Sequence, residues 1–394
     1  MLLVEQHIIT DNSKQLFRMG LIARKLFNKT RAYIEKHNCN YMRLYNVFKK
    51  DDLYKQLKSK VAQQVLMLVE QNYKSYKAAL KEYYKNPSKF TGKPETYIPN
   101  NKPLVLIYTN QASSIKKFKI KLSKTLSFPY YDGINKFQQI RIKHIKDNTY
   151  KLEIVYDKEE DTLDPNSSHY MGIDIGLQYL CGISITDGSS YLVSSSVSNR
   201  ITQRYDFLTQ TNTIQTKKNK KYLITKSKRR HGWKKHKRNN DQLHKISRRI
   251  VNLAKDKKVK TIVIAHNKNW TRQTNIGKKN NRKMTSFGLV DLIHKISYKA
   301  ELLGIKVVEQ EESYTSKCDF LANENIRKHK VYLGSRTHRS CFISSTGKKI
   351  HADINAAFNI IKKHIDVSAP HDKICYEEIQ NKGCVYHPSY LDTE

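Results

Sequence analysis

Residues 3–10, LVEQHIIT, alternate apolar and polar side chains with the period of a half-buried strand. Asp11 to Ser13 then offer an N-cap, and Leu16, Met19, Leu21, Ile22, Leu26 and Phe27 recur at helical spacing. A second helical stretch is predicted from about Asp51 to Tyr84, with Leu57, Val61, Val65, Leu66, Leu68 and Val69 as its apolar face. It stops at Asn86-Pro87-Ser88-Lys89-Phe90, a helix-to-loop break. Between 104 and 158 the period returns to two: LVLIYTN, KKFKIKL, QQIRIKHI and YKLEIVYD predict short strands with basic outward positions. A strand, a helical insertion and further strands predict a small β-barrel interrupted by a helical domain. The polar run Leu163-Asp164-Pro165-Asn166-Ser167-Ser168 reads as a linker.

Past the linker, Met171 to Leu177 and Leu180 to Gly188 are apolar runs with small residues and an Asp187-Gly188 turn signal. They predict a β-hairpin whose first strand is buried. Tyr191 to Val193 reads as a short third strand, Lys260 to His266 as a buried strand, 286–303 as a helix and 305–309 as a further strand. The last stretch, His351 to Ile360, opens a helix of small and apolar residues with Asp353. The predicted order is β-β-β-α-β-α-β-loop-α. Asp174 lies in the first strand between isoleucines, where a carboxylate must be paired, coordinate a metal, or suffer a large desolvation cost. An Asp on a first strand and an Asp on a last helix is the layout of RNase H-like nucleases, whose sites hold two divalent ions.

Charge sharpens this picture. The 394 residues carry 73 Lys and Arg against 35 Asp and Glu, a formal +38, which implies a polyanionic partner and makes nucleic acid the first candidate. The most basic stretch, 217–260, has Asp241 and Asp256 as its only acids and apolar spacing at Leu243, Ile246, Ile250 and Leu253. It predicts a basic helix pair lying along phosphates, with Arg229, Arg230, Lys234, Lys235, Arg248 and Arg249 as contacts. Twenty-five tyrosines could add stacking surfaces, although most are expected in cores. The six cysteines, at 39, 181, 318, 341, 375 and 384, form no dense framework. With no leader pattern and no apolar run of membrane length, an intracellular chain that does not span a membrane is expected.

Several motifs together resemble the TnpB proteins of transposons and their Fanzor relatives. They are Lys58 to Val65, Asn86 to Phe90, Leu243 to Arg249, Asn267 to Trp270, Tyr298 to Ile305, Glu311-Glu312-Ser313-Tyr314-Thr315-Ser316-Lys317 and Ala352 to Ala357. The resemblance covers most of 1–365. It implies an α/β multidomain chain with an RNase H-like (RuvC) nuclease core and an N-terminal wedge β-barrel interrupted by a helical recognition insert. The expected boundaries are 1–10 for the first wedge strand, 11–86 for the recognition domain and 87–165 for the rest of the wedge. The nuclease core follows over 168–315 with a basic insert at 200–260, then a degenerate zinc-ribbon or target-nucleic-acid-binding loop at 316–350. The last core helix, 351–365, and a tail, 366–394, complete the chain. The implied activity is RNA-guided cutting of DNA beside a short motif, with one RuvC-type site using two Mg²⁺. The implied partners are a guide RNA encoded at the transposon end and double-stranded target DNA, bound by a monomeric protein. The compartment would be the cytoplasm or nucleoid in a bacterium, and the nucleus for a protein of a eukaryote or its virus.

Two departures from the family pattern bear on the site. Where the family places its second catalytic acid, this chain has Ala265-His266. Neighbouring parallel strands lie about 4.8 Å apart, so a glutamate at the end of strand 305–310 could bridge the gap. Glu312 is the first candidate and Glu311 the second. The resemblance thus implies Asp174, Glu312 and Asp353 as the catalytic, magnesium-holding set. Asn355 is a candidate outer partner on the same helix face as Asn359. The family's paired Cys-x-x-Cys knuckles are reduced here to Cys318 and Cys341, with His338 and His329 nearby. The expectation is a loop packed by Phe320, Leu321, Tyr332 and Phe342, without structural zinc. Trp270 and Tyr314 are stacking candidates. The lost acid also leaves open a cleavage-dead, RNA-guided DNA-binding repressor. A guide-free nuclease or strand transferase is a further alternative.

Overall fold

The first alternating stretch forms β1 (Leu2–Thr10), its side chains exposed and half-buried in turn. The Asp11 carboxylate accepts from the backbone N–H of Leu16 (2.7 Å) and of Ser13 (3.0 Å), opening α1 (Gln15–His37). Next come α2 (Tyr41–Phe48), α3 (Asp52–Lys55) and α4 (Ser59–Lys85). Asn40 and Asp51 cap α2 and α3 by accepting from Arg43 N and Leu53 N. The single helix predicted from Asp51 to Tyr84 is therefore two, because Lys58 turns extended (ψ 134°) before α4 begins. The strands β2 (Leu106–Thr109), β3 (Ser114–Lys116), β4 (Lys119–Lys121), β5 (Ser127–Pro129), β6 (Gln139–Lys146) and β7 (Thr149–Asp157) follow. Among the described residues they make two antiparallel sheets, β1-β7-β6-β2 and β3-β4-β5, where the sequence pattern predicts one barrel.

The computed structural model describes residues 1–95, 102–116, 118–131, 133–134, 136–216, 225–267, 277–368, 374, 379 and 387–391. Two units divide the chain, Met1–Glu159 and Glu160–Glu394. The first has one core, joining Leu26, Phe27 and Val65 of its helices to Tyr108, Tyr150 and Leu152 of its strands.

The second unit is built on β8 (His169–Ile175), β9 (Tyr179–Ile185), β10 (Ser190–Ser194), β11 (Val259–Ala265) and β12 (Lys306–Gln310). Its helices are α5 (Ser196–Thr216), α6 (Lys226–Asp256), α7 (Lys278–Phe287), α8 (Leu289–Glu301) and α9 (Ala352–Ser368). Before α9 come β13 (Ser335–His338), β14 (Cys341–Ile343) and β15 (Lys349–His351), and β16 (Ser389–Tyr390) follows it. The main sheet runs β12-β11-β8-β9-β10-β16. β8, β9 and β10 are antiparallel, whereas β11 and β12 run parallel to β8. Because side chains alternate along a strand, the two faces bury different sets. Met171, Ile173 and Ile175 face Ile246 and Ile250 of α6 and Leu292 and Ile296 of α8. Tyr170, Val263 and Ala265 belong with Ile354, Phe358 and Ile361 of α9.

Four features differ from expectation. The Asp187-Gly188 turn joins β9 to β10, while β8 and β9 are linked across Gly176 to Gln178. The helix predicted over 286–303 is broken at Gly288, whose φ of +70° ends α7 and starts α8. The loop expected at 316–350 contains the antiparallel sheet β13-β14-β15, whose strands are too short for a visible period. The tail is not wholly separate, since β16 pairs in parallel with β10. Trp270, Cys375, Cys384 and positions 217–224 of the basic insert lie outside the described residues.

Candidate active site

Asp174 stands near the end of β8, opposite Gly182 of β9. Ile173 pairs with Ile264, so buried Ala265 falls beside Asp174, and Gln310 lies beyond it on β12. Gly172 shares Asp174's face of the strand, as does Gly182 across the ladder. Gly172 is needed there, and Gly182 makes a tight approach. A Cβ on Gly172 would lie 2.2 Å from the carbonyl oxygen of Ala357, and one on Gly182 would lie 3.0 Å from the Asp353 Cβ. Ser184 Oγ on the same face donates to the carbonyl of Ile354 at 3.1 Å. The bare glycine surface lets α9 lie directly on the sheet, bringing Asp353 in its first turn over the row that holds Asp174.

The electrostatics agree with this placement. Asp174 is half-buried, and its carboxyl is pushed up to about 8 by burial and then by the charges of Asp353 and Glu312, with Arg336 opposing. Among the described residues that carboxylate has no hydrogen-bond or ion-pair partner. Burial also raises Asp353, against His351, Arg336 and Arg339. Arg336 Nη2 lies 3.8 Å from Asp353 Oδ1, and its guanidinium is steadied by the Arg339 carbonyl (Nε 3.0 Å). This arginine of β13 escapes sequence reading. Its only signal is the short run Arg336-Thr337-His338-Arg339, minor in so basic a chain.

The adjacent glutamates diverge. Glu312, just beyond β12, accepts from Asn267 Nδ2 at 2.8 Å, and its backbone N–H donates to Asn267 Oδ1 at 3.4 Å. Burial and Glu311 raise its carboxyl, with His266 opposing. Glu311 accepts from Lys363 Nζ at 2.6 Å, from Ser313 N at 3.1 Å and from the Ser313 hydroxyl. Burial pushes Glu311 up, but Lys363 and Ser313 outweigh it and hold the carboxyl low. Glu312 acts on Asp174, whereas Glu311 is neutralised by α9. Among the described residues, no three His, Cys, Asp or Glu side chains are drawn together as ligands of one ion.

Asn355 does not contact Asp353 as expected. Its Oδ1 accepts from Phe320 N (3.1 Å) and its Nδ2 donates to the Cys318 carbonyl (2.8 Å). Asn359 Nδ2 donates to the carbonyls of Thr315 and Cys318. Both asparagines tether the 315–320 segment to α9. Around that segment, buried Asp319 accepts from Ser344 Oγ (2.8 Å) and Ser345 N (2.8 Å). Glu324 accepts from Asp319 N and Leu333 N. Cys318 is buried with its thiol turned to the carbonyls of Asn325 and Arg327, and His329 bonds the Asn325 carbonyl. Phe320, Leu321 and Phe342 are core residues, whereas Tyr314 is exposed with φ +68°.

On α6, Arg229, Arg230, Lys234 and Arg248 are exposed and Arg249 is half-buried. Lys235 differs: its ammonium lies 3.4 Å from Asp206 Oδ1, which Arg282 also approaches at 3.0 Å.

Two family profiles match the chain in order, the first beginning in β7 of the first unit and both otherwise lying in the second. The profile described as "Probable transposase" (OrfB_IS605) matches 153–271, and "Cas12f1-like, TNB domain" matches 291–360. The chain is TnpB-like. The first match contains β8 to β11, and the second runs from α8 to the first half of α9. Asp174 therefore lies in one and Glu312 and Asp353 in the other. This TnpB-like chain matches no curated protein sequence. Its fold is similar to that in "Cryo-EM structure of the Cas12f1-sgRNA-target DNA complex", at 15% identity and TM-score 0.52, covering 89% of this chain and 83% of that one. A similarity at 9% identity and TM-score 0.48 covers 92% of each chain with "Structure of the mini-RNA-guided endonuclease CRISPR-Cas_phi3". No helix of the described residues is long and apolar enough to cross a membrane.

Proposed function

We propose that the protein is an RNA-guided DNA endonuclease with one RuvC-type site formed by Asp174, Glu312 and Asp353. The observation that carries this reading is the convergence of Asp174 and Asp353 across the cleared surface of Gly172 and Gly182. The order within the main sheet, antiparallel β8, β9 and β10 beside β11 and β12 running parallel to β8, supports an RNase H-like core. A carboxylate with no hydrogen-bond or ion-pair partner among the described residues, raised by two neighbouring carboxylates, belongs to a hard-oxygen set that suits Mg²⁺. Asp174, Glu312 and Asp353 would hold two such ions, which supply an activated water and charge stabilisation at the phosphate.

The chain's own groups do the rest. Asn267 fixes the Glu312 carboxylate, and Glu312 takes the role of the acid missing at Ala265. Arg336, beside Asp353, offers a guanidinium to a phosphate oxygen. Exposed Arg229, Arg230, Lys234 and Arg248 hold backbone phosphates, while Lys235 steadies α5 against α6 through Asp206. Residues 1–159 would contain the wedge and recognition parts, and one chain would act with one guide RNA. Guide pairing reads the target and the protein reads a short flanking motif.

The test is to express the chain with its flanking locus, purify the complex and challenge it with a plasmid library bearing a target matched to the bound RNA. Mg²⁺-dependent cutting beside one motif, abolished by Asp174→Ala, is expected. A defined RNA with specific DNA binding and no cutting would show instead a guided binder whose site is dead. Cutting that persists in Asp174→Ala would overturn the assignment of the site.

A further inference from the structure

The tip of the β3–β4 hairpin in the first unit, together with Tyr131 just past β5, carries three local features that folding alone does not favour. Phe118 and Tyr131 are 71% and 78% exposed, with their rings stacked at 6.2 Å between centroids and 28° between planes. Phe118 occupies the hairpin turn with φ +58°, where glycine or asparagine is the usual residue. Lys116 and Lys119 pair directly across the ladder, an arrangement of like charges that destabilises a hairpin. Lys121, two residues on, shares their solvent face, opposite buried Ile120. Among the described residues the ammonium groups of these three lysines have no hydrogen-bond or ion-pair partner. Consistency between local preference and fold is broken three times in this one small sheet, the pattern expected of a binding surface.

We propose that this tip is a stacking platform for an unpaired base in a looped segment of RNA, with Lys116, Lys119 and Lys121 on the flanking phosphates. Exposed aromatic rings recognise the face of a base, which a continuous duplex hides and a loop displays. Folded RNA presents such loops persistently, whereas duplex DNA does not. The inference rests on the nucleic-acid reading above but not on cleavage.

The experiment measures binding by the full chain of three fluorescent probes. They are an RNA hairpin with an unpaired loop, its stem as a blunt RNA duplex, and the loop sequence as single-stranded DNA. Phe118→Gly and Tyr131→Ala should each weaken hairpin binding on the order of tenfold and leave the blunt duplex unchanged. Phe118→Gly should also melt no lower than the unsubstituted protein, because glycine relieves the turn; a merely structural aromatic would show the reverse. Unchanged hairpin affinity, or equal loss on the blunt duplex, overturns the platform. Equal or greater loss on the DNA strand overturns its assignment to RNA. If the unsubstituted protein binds no RNA, it is the RNA-guided reading that fails.

Discussion

At the scale of single residues, Glu311 and Glu312 are neighbours in sequence with opposite surroundings. Glu312→Gln removes a group that acts on Asp174 and should lower Mg²⁺-dependent cutting on the order of a hundredfold or more in single-turnover assays. Glu311→Gln frees Lys363 and Ser313 and takes one charge away from beside Glu312, and should leave the rate within about tenfold of that of the unsubstituted protein. Equal losses in the two variants would sink the distinction. Asp174 also gives the site a pH dependence. Its folded pKa of about 8 exceeds the ordinary aspartate value of 3.8, so the cation-free fold holds an extra proton between them. This group's contribution to stability therefore declines as pH rises through that window. Thermal melts in EDTA should show the decline, and Asp174→Asn should flatten it. Added Mg²⁺ competes with the proton, so its increment in Tm should grow with pH. Both aspartates were legible in the sequence because a charge inside an apolar run is conspicuous. Asn267 and Arg336 were not, being ordinary polar residues whose roles depend on which segment folds against them.

At the scale of elements, the close approach of α9 to β8 and β9 determines where Asp353 stands. Gly172→Ala forces a methyl group against the Ala357 carbonyl, and such overpacking costs about 1–3 kcal/mol or more. The expected outcome is a lower Tm together with lost cutting, whereas Ser184→Ala, which removes one bond to Ile354, should cost only about 1 kcal/mol. An unchanged Tm in Gly172→Ala would contradict the packing described. Long elements were readable because β8 and β11 are nearly continuous apolar runs and α9 gathers small and apolar residues behind Asp353. The small sheet β13-β14-β15 was not, since β13 is exposed throughout and the others have three residues each. The network that organises its surroundings uses Asp319 and Glu324, which look like solvated acids until the backbone N–H groups they satisfy are seen. Gly288 gave no warning of breaking a helix, as an isolated glycine inside an apolar period is often tolerated.

At the scale of the whole molecule, the formal charge of +38 is the term on which every partner depends. Each phosphate contact contributes roughly 0.9 to the slope of log affinity against log salt on duplex DNA. Replacing exposed Arg229 and Arg230 together by alanine should flatten that slope by roughly 1.8 and weaken matched and unmatched DNA alike. A slope that does not change would place these arginines off the nucleic acid. The polar linker at 163–168 stood out in the bare sequence and lies a few residues past the division after Glu159, whereas the change of period near 104 falls inside the first unit. How the strands of residues 1–159 close was not legible, because pairing between short strands is set by distant partners.

Gly172 has a consequence for how the protein can be lost. A glycine codon is changed by single missense substitutions only to residues that carry a Cβ, and at this position any Cβ meets the Ala357 carbonyl at 2.2 Å. There is no conservative allele to visit. At Asp353 a one-base change to glutamate at least preserves a carboxylate, but at Gly172 each first mutational step disturbs the seat of α9. Among naturally inactivated copies, substitutions at this uncharged position should be as common a signature of lost cutting as changes in the acids themselves.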